Sequence, residues 1–262
     1  MNVREMFSLE GKVALVTGGA GLYGRQLVAG MAEAGARTFV ASRNIGPLKT
    51  LAEQHKQQGR DVTALSYDQG DEASILKLRD EILRLAGRCD VLVNNAVLCP
   101  MMKAGYRDEA ATFDLSMKVN ATGLFLITRA MGDAMAERGG GSIVNIGSIH
   151  GMIAPDPWLY EGTNVSGWYP DYFFHKGGMI NFTRFVASYY GLKNVRCNCV
   201  SPGGYQTQQH SERFLDNYAR KTMLGRMADD DDLKGVVVFL AGDAAAYVTG
   251  ANIPVDAGYT AK

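Results

Sequence analysis

The chain has 262 residues, and its 27 lysines and arginines balance its 27 aspartates and glutamates. A chain of this length can bury a large hydrophobic core without disulfides or a structural metal. The charge balance argues against a nucleic-acid binder, which needs a basic patch. No stretch reaches the ~18 apolar residues of a membrane span, and Met1–Gly11 lacks the apolar core of a secretion signal. We therefore expect a cytoplasmic protein that binds neither nucleic acid nor membrane.

The cysteines show none of the spacings of a metal site. Cys89, Cys99, Cys197 and Cys199 include no C-x-x-C pair and have no nearby histidines that would complete a zinc site. Cys197 and Cys199 alternate within an apolar run, so both are predicted to point to one face of a strand. We expect buried structural thiols, no bound metal and a reducing compartment.

Short apolar runs alternate with longer amphipathic segments along the whole chain. The predicted strands are Val13–Thr17, Thr38–Ala41, Val62–Ser66, Val91–Asn94, Ser142–Ile146, Val195–Val200 and Asn252–Val255. The predicted helices are Leu22–Ala34, Pro47–Gln58, Glu72–Ala86, Ala111–Arg138, Tyr172–Leu192 and Asp230–Leu240. This alternation indicates βαβ units and a parallel sheet of about seven strands with helices on both faces. Since no linker or repeat interrupts residues 1–262, we predict one doubly wound α/β domain of three layers.

Two regions interrupt the alternation. Residues 151–171 are rich in proline, glycine and aromatic side chains, which predicts a long ordered loop. Residues 203–224 follow a strand and are predicted to form a helical flap. Both follow the carboxyl ends of strands, where open α/β sheets bind ligands, so both are expected to border a ligand site.

A glycine-rich turn follows the first predicted strand. From Gly19 to Gly24 the chain reads G-A-G-L-Y-G, a G-x-G-x-x-G pattern between a strand and a helix. Such a turn lets the backbone approach a pyrophosphate, which the N–H groups and dipole of the helix N-terminus bind. The placement of the motif predicts a dinucleotide site in a Rossmann-like fold.

The end of the second predicted strand bears on the choice of dinucleotide. It reads Ala41-Ser42-Arg43-Asn44, without the acid that usually binds the adenosine ribose. A 2′-phosphate would meet no repulsion there, and Ser42 and Arg43 could bind it. We therefore predict NADP(H) as the favoured cofactor. NAD(H) is the alternative, in which Arg43 is only a solvated residue at the start of a helix.

Tyr172 and Lys176 stand four residues apart at the start of a predicted helix, so both lie on one face. A free phenol has a pKa of about 10, which is poor for proton transfer at neutral pH. A neighbouring ammonium and a nicotinamide cation would stabilise the phenolate and lower that pKa. Behind a dinucleotide turn, this pair predicts that Tyr172 acts as a general acid and base.

Together these motifs resemble the short-chain dehydrogenase/reductase family along nearly the whole chain. The residues that carry the resemblance are Gly18, Gly19, Gly21, Gly24, Asp68, Asn94, Asn95, Ala96, Asn120, Ser148, Tyr172, Lys176, Pro202, Gly203, Thr207 and the ending Val255-Asp256-Ala257-Gly258. The resemblance implies an enzyme that moves hydride between NAD(P) and a secondary alcohol or its ketone. It also implies a homotetramer, formed partly through the helices over Ala111–Arg138 and Tyr172–Leu192.

The resemblance further implies roles for single residues. Tyr172 would be the acid and base, and Lys176 would bind the nicotinamide ribose and lower the pKa of that tyrosine. Ser148 would bind the reacting oxygen, Asn120 would hold a water of the proton relay, and Asp68 would hydrogen-bond to adenine. The cofactor would contact Gly18, Gly19, Gly21, Leu22, Tyr23, Ser42, Arg43, Asp68, Gln69, Asn95, Ala96, Tyr172, Lys176, Pro202, Gly203 and Thr207.

The chain departs from the family pattern where glycine is usual. Leu22, Val97 and Ala257 stand at such positions. With Leu22 the turn is similar to that of the longer, sugar-nucleotide branch of the family, although the length and the downstream motifs match the short branch. At Val97 and Ala257 the loop geometry is expected to differ locally, while the fold is expected to be kept.

The spacing of the catalytic pattern is also unusual. Ser148 and Tyr172 are 24 positions apart, more than is usual in the family, because of the inserted segment Pro155–Pro170. A loop insertion can leave the groups convergent, since helix register fixes only the tyrosine and its lysine. Tyr160 and Tyr169 are weaker candidates than Tyr172, because neither has a lysine four residues later.

The inserted segment is expected to line or cover the substrate pocket. Polar and aromatic groups that could take part are Tyr160, Glu161, Thr163, Asn164 and Trp168, with His150, Gln206, Gln208, Gln209 and His210 around them. Such a mixture suits a polyhydroxylated ligand, whose hydroxyls need partners once desolvated. With a similarity to gluconate- and deoxygluconate-type dehydrogenases, it predicts a sugar, sugar acid or polyol. The candidate substrate residues are Ser148, His150, Tyr160, Tyr172 and Gly204.

Other interpretations stay open at this point. The inserted segment could be ordered by its own aromatic side chains or pack against a neighbouring subunit. The enzyme could reduce apolar ketones. The chain could also be a catalytically silent nucleotide sensor, against which the intact set Asn120, Ser148, Tyr172 and Lys176 argues.

Two further features have structural explanations. His175 is expected to face away from Tyr172 and Lys176 and to be structural, because side-chain contact on a helix depends on spacing. The acids Asp229–Asp232 are expected to favour the dipole of the helix that follows, since negative charge is stabilising at a helix N-terminus. Neither feature predicts a catalytic or metal site.

Overall fold

The protein is built on a central parallel sheet. Over residues 1–163 and 165–261, which are those that the computed structural model describes, seven strands form one sheet. They are β1 (Val13–Thr17), β2 (Arg37–Ser42), β3 (Val62–Ser66), β4 (Val91–Asn94), β5 (Gly141–Ile146), β6 (Val195–Pro202) and β7 (Asn252–Val255). Their order is β3-β2-β1-β4-β5-β6-β7, and neighbours run parallel. The predicted doubly wound α/β architecture is confirmed.

Helices cover both faces of this sheet. They are α1 (Val3–Phe7), α2 (Leu22–Glu33), α3 (Ile45–Gln57), α4 (Glu72–Ala86), α5 (Ala110–Met117), α6 (Leu124–Glu137), α7 (Pro170–Tyr190), α8 (Glu212–Lys221) and α9 (Lys234–Ala241). One hydrophobic core lies under α2, α3 and α9, and the other under α4, α6 and α7. Within the described part of the chain, no helix is long and apolar enough to span a bilayer.

Alternate residues of each strand supply the two cores. In β1, Ala14 and Val16 face the core under α2, whereas Val13 and Leu15 face the core under α4. Successive side chains of a strand point to opposite faces, so a strand covered on both faces is apolar throughout. This explains why the central strands appear in the sequence as unbroken apolar runs.

The start of α9 differs from the prediction. The acids expected in its first turn lie before it, since α9 begins at Lys234 and not at Asp230. Asp232 binds the Arg226 guanidinium through two bonds of 2.6 and 2.7 Å, and Asp231 forms a 2.8 Å ion pair with Lys234. These ion pairs stabilise the loop that contains Asp231 and Asp232, so the acids precede α9 and are not part of its first turn.

Two other helical regions also differ from the prediction. The segment predicted as one helix, Ala111–Arg138, is divided by a π-helical turn at Lys118–Gly123. Such widened turns occur frequently at functional sites. The short helix α1 was not predicted; Asn2 and Glu5 form a reciprocal capping box that starts it.

Of the three positions where the family usually has glycine, one takes a backbone conformation that favours glycine. Ala257 has a φ of 55°, in the left-handed region, and Val97 does not. Leu22 is the first residue of α2, and its side chain is 60% exposed, so it meets no obstacle. The local departure is therefore confined to the terminal turn.

The strand order places the ligand-binding edge. It reverses between β1 and β4, so the loops after these two strands diverge and leave a crevice at their carboxyl ends. The segments 151–171 and 203–224 follow β5 and β6 at the same edge. The topology thus brings the glycine turn, the inserted segment and the flap around one crevice.

Candidate active site

A cavity of about 680 Å³ opens at the carboxyl ends of the central strands. The glycine turn after β1 lines one side, and Ser148 and Tyr172 line another. Tyr160 from the inserted segment and Phe214 and Tyr218 from α8 complete the wall. One cavity therefore joins the predicted dinucleotide turn to the predicted acid/base.

The glycine turn is packed too closely for side chains. A Cβ on Gly18 would lie 2.8 Å from Ala96 Cα, and one on Gly19 would lie 2.2 Å from Cγ2 of Val40. A Cβ on Gly24 would lie 2.3 Å from the Gly18 carbonyl oxygen. These separations are shorter than van der Waals contacts, so close packing of strand, turn and helix requires glycine. The residues present fit a dinucleotide, whose pyrophosphate needs this open backbone at a helix N-terminus.

The loop after β4 is tied to the same turn. The Asn95 side-chain amide donates to the carbonyl oxygens of Thr17 at 3.0 Å and Gly18 at 2.9 Å. The Thr17 hydroxyl oxygen accepts from the backbone N–H groups of Asn95 and Ala96 at 3.0 and 3.1 Å. These bonds fix two walls of the cavity relative to each other.

Polar side chains line the end of the cavity near β2 and β3. Ser42, Arg43, Asp68 and Gln69 all contribute to this end. The Asp68 carboxylate accepts from the backbone N–H of Gly70 at 2.8 Å, which orients it. The Arg43 side chain is exposed. At this end of the cavity, the Arg43 guanidinium can bind an anion, and the oriented Asp68 carboxylate can accept a hydrogen bond from a ligand.

Tyr172 lies in the first turn of α7, beside Ser148 at the end of β5. The helix begins at Pro170, whose missing N–H costs nothing at a first helical position. Burial raises the pKa of Tyr172 above its usual value, and the hydrogen bond with Ser148 acts in the opposite direction. In the chain alone, the phenol is therefore protonated at neutral pH and able to donate.

Lys176 is buried one helical turn further along. Its Nζ donates to the Ile146 carbonyl at 2.5 Å and lies 5.6 Å from the centroid of the Tyr172 ring. Burial lowers the pKa of Lys176 to about 8. The two side chains share a helix face, as the four-residue spacing predicts. The Lys176 ammonium alone does not offset the effect of burial, so the pKa of Tyr172 stays raised.

Ser148 and His150 place neutral polar groups beside the phenol. The Ser148 hydroxyl oxygen accepts from the backbone N–H of His150 at 3.1 Å. The His150 ring stacks on Phe173 with centroids 4.5 Å apart, and burial lowers the pKa of His150 to about 4. At neutral pH this imidazole is uncharged, so it can donate one hydrogen bond and accept another.

Asn120 lies behind the cavity wall, in the π-helical turn between α5 and α6. Its side-chain oxygen accepts from the Leu98 N–H at 2.9 Å, and its Nδ2 donates to the Leu98 carbonyl at 2.6 Å. Asn120 is buried, whereas Leu98 lines the cavity. In this arrangement the asparagine acts on the cavity through the wall segment that it holds.

This arrangement has counterparts among known proteins. A family model described as enoyl-(acyl carrier protein) reductase matches residues 21–260. The chain belongs to the short-chain dehydrogenase/reductase family. As a member of this family, it is an NAD(P)-dependent oxidoreductase that interconverts a secondary alcohol and a ketone.

Three relatives show how far the similarity extends. The D-threitol dehydrogenase of Mycolicibacterium smegmatis is 32% identical, over 98% of this chain and 95% of its own length. The 3-oxoacyl-[acyl-carrier-protein] reductase of Aquifex aeolicus is 32% identical, over 95% of this chain and 98% of its own. A crystal structure of a gluconate 5-dehydrogenase from Burkholderia cenocepacia, in complex with NADP and tartrate, has a TM-score of 0.88 and 28% identity over 100% of both chains.

The short-chain dehydrogenase cavity brings together most of the residues predicted for it. Those that line it are Gly18, Gly21, Leu22, Tyr23, Ser42, Arg43, Asp68, Gln69, Asn95, Ala96, Ser148, His150, Tyr160, Tyr172, Gly203 and Gly204. Five predicted residues lie outside the lining, namely Gly19, Asn120, Lys176, Pro202 and Thr207. Packing explains this for the first three, because Gly19 faces the core and the asparagine and lysine are buried behind the wall.

The inserted segment lines the cavity, as predicted, through Leu159, Tyr160, Val165, Ser166 and Tyr169, but not all of its expected polar groups face it. Glu161 and Trp168 instead line a neighbouring outer cleft, together with Trp158. A short turn at Pro157–Leu159 explains the difference. It buries Leu159 at 2% exposure and leaves Trp158 67% exposed. The expectation that Trp168 and Glu161 face the substrate is therefore wrong for this structure.

Of the other polar groups expected around the substrate, His210 lines the cavity. Asn164 lies outside the described residues. The remaining ones, which do not line the cavity, are Thr163, Gln206, Gln208 and Gln209. Apolar wall residues from α8 were missed, although the four-residue spacing of Phe214 and Tyr218 is a signal that could have found them.

The cysteines divide between core and cavity. Cys89, Cys197 and Cys199 are buried free thiols, as expected. Cys99 is half-buried and lines the cavity, and burial raises its pKa to about 11. Its thiol is therefore uncharged at neutral pH and belongs to the apolar wall.

His175 contacts Tyr172, contrary to the expectation that it faces away. The two ring centroids are 5.3 Å apart and the rings are nearly perpendicular. The prediction overlooked that residues three apart on a helix are neighbours. Burial lowers the pKa of His175 to about 3, and neither ring nitrogen has a hydrogen-bond partner among the described residues. This neutral ring supports the tyrosine by packing and does not line the cavity.

Proposed function

We propose that Tyr172 is the general acid and base of this oxidoreductase and that Ser148 binds the reacting oxygen. One observation supports this above all: the phenol and Ser148 line the same cavity, and the phenol shares a helix face with buried Lys176. In ketone reduction, both hydroxyls would donate to the substrate oxygen, and the phenol would deliver its proton there. In oxidation, the phenolate would take the alcohol proton. The bound nicotinamide accepts or supplies the hydride.

Lys176 and Asn120 complete the proposed machinery. Lys176, oriented by the Ile146 carbonyl, would bind the nicotinamide ribose and, with the cofactor charge, lower the pKa of Tyr172. Asn120 would hold a water of the proton relay while it keeps Leu98 in the wall. The buried position of Asn120 agrees with a role that acts through Leu98.

NADP(H) is the proposed preferred cofactor, with NAD(H) as the alternative. Ser42 and Arg43 would bind the 2′-phosphate, and Asp68 would bind adenine at the same end of the cavity. The B. cenocepacia neighbour, whose crystal contains NADP, supports this preference. The remaining proposed contacts are Gly18, Gly19, Gly21, Leu22, Tyr23, Gln69, Asn95, Ala96, Pro202, Gly203 and Thr207.

The proposed substrate is a sugar, sugar acid or polyol. Around Tyr172 the cavity presents hydrogen-bonding groups of Ser148, His150 and Tyr160 and the backbone of Gly204. A ligand with several hydroxyls would satisfy these groups once they are desolvated. The names of two relatives, D-threitol dehydrogenase and gluconate 5-dehydrogenase, support this class.

An apolar ketone is the second candidate. Leu159, Phe214 and Met227 line the same cavity, and the A. aeolicus relative is named for a 3-oxoacyl substrate. Steady-state rates with D-threitol, galactitol and D-gluconate, compared with 2-octanol and an acetoacetyl thioester, distinguish the two classes. We expect the polyhydroxylated panel to give the higher kcat/KM, and a clear preference for the apolar panel would overturn the substrate proposal.

Tyr172→Phe tests the acid/base proposal. We expect kcat to fall by about 10³-fold while the Kd for NADPH changes little, because the ring is kept and only the proton donor is lost. Tyr169→Phe is the matched control, since this ring also lines the cavity, 5.8 Å from Tyr172. Turnover retained in Tyr172→Phe would refute the role. A wild-type chain that binds NADPH but turns over neither panel would instead be a nucleotide sensor.

The proposed assembly is a homotetramer of a single-domain chain, in the cytoplasm. The outer face of α7 carries Phe182, Phe185 and Tyr189, stacked with centroids 6.2 and 6.1 Å apart. Phe185 is 62% exposed, and exposed apolar patches of this kind mark protein interfaces. The free cysteines suit a reducing compartment. Light scattering should give four chains per particle and fewer in Phe185→Lys; a monomeric wild type would overturn the assembly.

A further inference from the structure

A buried chain of hydrogen bonds joins Asp171 to the wall of the cavity. The Ser116 hydroxyl donates to Oδ2 of Asp171 at 2.6 Å and accepts from Nδ2 of Asn120 at 3.0 Å. The asparagine amide is bonded on both of its polar atoms to the Leu98 backbone. Asp171 and Ser116 are fully buried, at 0% exposure, and Asn120 is 3% exposed.

The carboxylate fixes the direction of every bond in this chain. A carboxylate only accepts, so the single hydroxyl proton of Ser116 is committed to Asp171. The serine oxygen can then only accept from Asn120, which directs the amide nitrogen toward the serine and the amide oxygen toward the Leu98 N–H. Hydrogen bonds to a charged group are also stronger than neutral ones.

The two ends of this hydrogen-bonded chain lie in different segments of the protein. Asp171 immediately precedes Tyr172 in the first turn of α7, whereas Leu98 belongs to the loop after β4. Three successive polar contacts therefore connect the helix turn that carries the proposed acid/base to the Leu98 segment of the cavity wall. Proton transfer needs the donor within hydrogen-bond reach of the reacting oxygen, so this separation matters for the rate.

We propose that Asp171 and Ser116 are positioning residues for the reaction, acting through Asn120 and Leu98 to hold Tyr172 in place. The proposal rests on the proposed role of Tyr172 as acid and base. Neither Asp171 nor Ser116 lines the cavity, so neither touches the substrate. Their effect is on geometry, and their removal should lower kcat more than it changes KM.

An acid in the first turn of α7 also interacts favourably with the helix dipole. That interaction involves Asp171 alone and does not require Ser116. If the dipole were the whole function of Asp171, Ser116→Ala would leave catalysis unchanged. The serine variant therefore separates a positioning role from a structural one.

The kinetic test compares Ser116→Ala, Asp171→Ala and Asp171→Asn. With the best alcohol of the panel above, we expect the two alanine variants to lower kcat by about 10- to 30-fold, the loss of one charge-assisted contact, with the Kd for NADPH unchanged. The double variant should be no worse than the poorer single one, since both break the same chain. Asp171→Asn keeps an acceptor oxygen and should stay within about threefold of the wild type.

Ser142→Ala is the matched control. This serine is also buried, at 2% exposure, and donates to the Leu240 carbonyl at 2.8 Å, away from the cavity. Ser142→Ala removes a buried serine hydrogen bond to a neutral carbonyl and should keep kcat. A second readout needs no substrate: amide hydrogen exchange at Leu98, measured by NMR, should become faster in Ser116→Ala and remain unchanged in Ser142→Ala.

The outcomes separate the two proposals. If Tyr172→Phe is inactive but Ser116→Ala and Asp171→Ala turn over at the wild-type rate, the positioning role is wrong and the acid/base proposal stands. If Tyr172→Phe remains active, the acid/base proposal fails. Amide exchange at Leu98 then still shows whether the hydrogen bonds from Asp171 through Ser116 and Asn120 hold the Leu98 segment in place. Unchanged exchange at Leu98 in Ser116→Ala would overturn the inference.

Discussion

The Lys176 ammonium lies 5.6 Å from the centroid of the Tyr172 ring and donates to the Ile146 carbonyl at 2.5 Å. A backbone carbonyl thus fixes a cation beside the phenol. Burial shifts both groups toward their neutral forms, because it raises the pKa of Tyr172 and lowers that of Lys176 to about 8. The proton-accepting phenolate therefore depends on positive charge that is kept close to it.

Lys176→Met should remove that charge without removing the bulk of the side chain. We expect kcat/KM for alcohol oxidation at pH 7 to fall by about 10²-fold, because the phenolate loses its neighbouring cation. The apparent pKa of the pH–rate profile between pH 6 and 10 should rise. Lys193→Met is the control, since its Nζ lies 5.5 Å from the Tyr189 ring at the far end of α7. A profile identical to the wild type would refute the electrostatic role.

His175 makes folding sensitive to acid. Its pKa in the folded chain is about 3, well below its ordinary value of 6.5, so the unfolded chain binds a proton that the folded chain does not. Its contribution to stability is intact above pH 6.5 and is lost as the pH falls from 6.5 toward 3. Between pH 7 and 5 this single group should cost about 2 kcal/mol of unfolding free energy.

Urea unfolding of His175→Gln at pH 7, 6 and 5 checks this dependence. The variant should lose about 2 kcal/mol less than the wild type between pH 7 and 5, because glutamine does not titrate. The same substitution at His210, a half-buried ring, should change the slope less. Parallel pH dependences for His175→Gln and the wild type would contradict the assignment.

The choice between the two dinucleotides should depend on Arg43. If its guanidinium binds the 2′-phosphate, Arg43→Ala should lower kcat/KM with NADPH by about tenfold or more and leave that with NADH nearly unchanged, since one charged contact is lost. Arg84→Ala, an exposed arginine paired with Glu81 on α4, serves as the control. An equal loss with both cofactors would show that Arg43 does not distinguish them.

The sequence predicts those features that local pattern and spacing determine. The strand Val91–Asn94 is buried on both faces of the sheet, so it appears in the sequence as a short apolar run whose limits can be predicted. The glycine turn and the pair Tyr172 and Lys176 have fixed spacings, and the structure brings the turn and Tyr172 to one cavity with Lys176 buried behind its wall. The contact between His175 and Tyr172 also follows from a fixed spacing, since residues three apart on a helix are neighbours, although the sequence-based expectation was that His175 faces away.

Contacts between distant segments could not be predicted in this way. The bond between Ser116 and Asp171 joins residues 55 positions apart, and its existence depends on how α5 packs against α7. The outward position of Trp158 depends on one short turn in the inserted segment. The late start of α9 depends on an ion pair with Arg226, which competes with helix formation. Tertiary interactions override local preference at each of these places.

Ala257 carries measurable backbone strain in the terminal turn. Its φ of 55° is left-handed, although its neighbour Asp256 holds the turn through bonds to the N–H groups of Gly258 and Thr260 at 2.9 Å. An L-residue with a Cβ pays about 1–2 kcal/mol for this conformation. Ala257→Gly should therefore raise the unfolding free energy by about 0.5–1 kcal/mol, after the larger entropy of glycine in the unfolded chain is counted.

Ala246→Gly is the control for that prediction, because Ala246 has a φ of −56° and gains nothing from glycine. Urea unfolding should show a loss of about 0.5–1 kcal/mol there, opposite in sign to the change at Ala257. Since neither Ala257 nor Ala246 lines the cavity, kcat should be unchanged in both variants. A loss of stability in Ala257→Gly equal to that in Ala246→Gly would mean that the turn stores no strain.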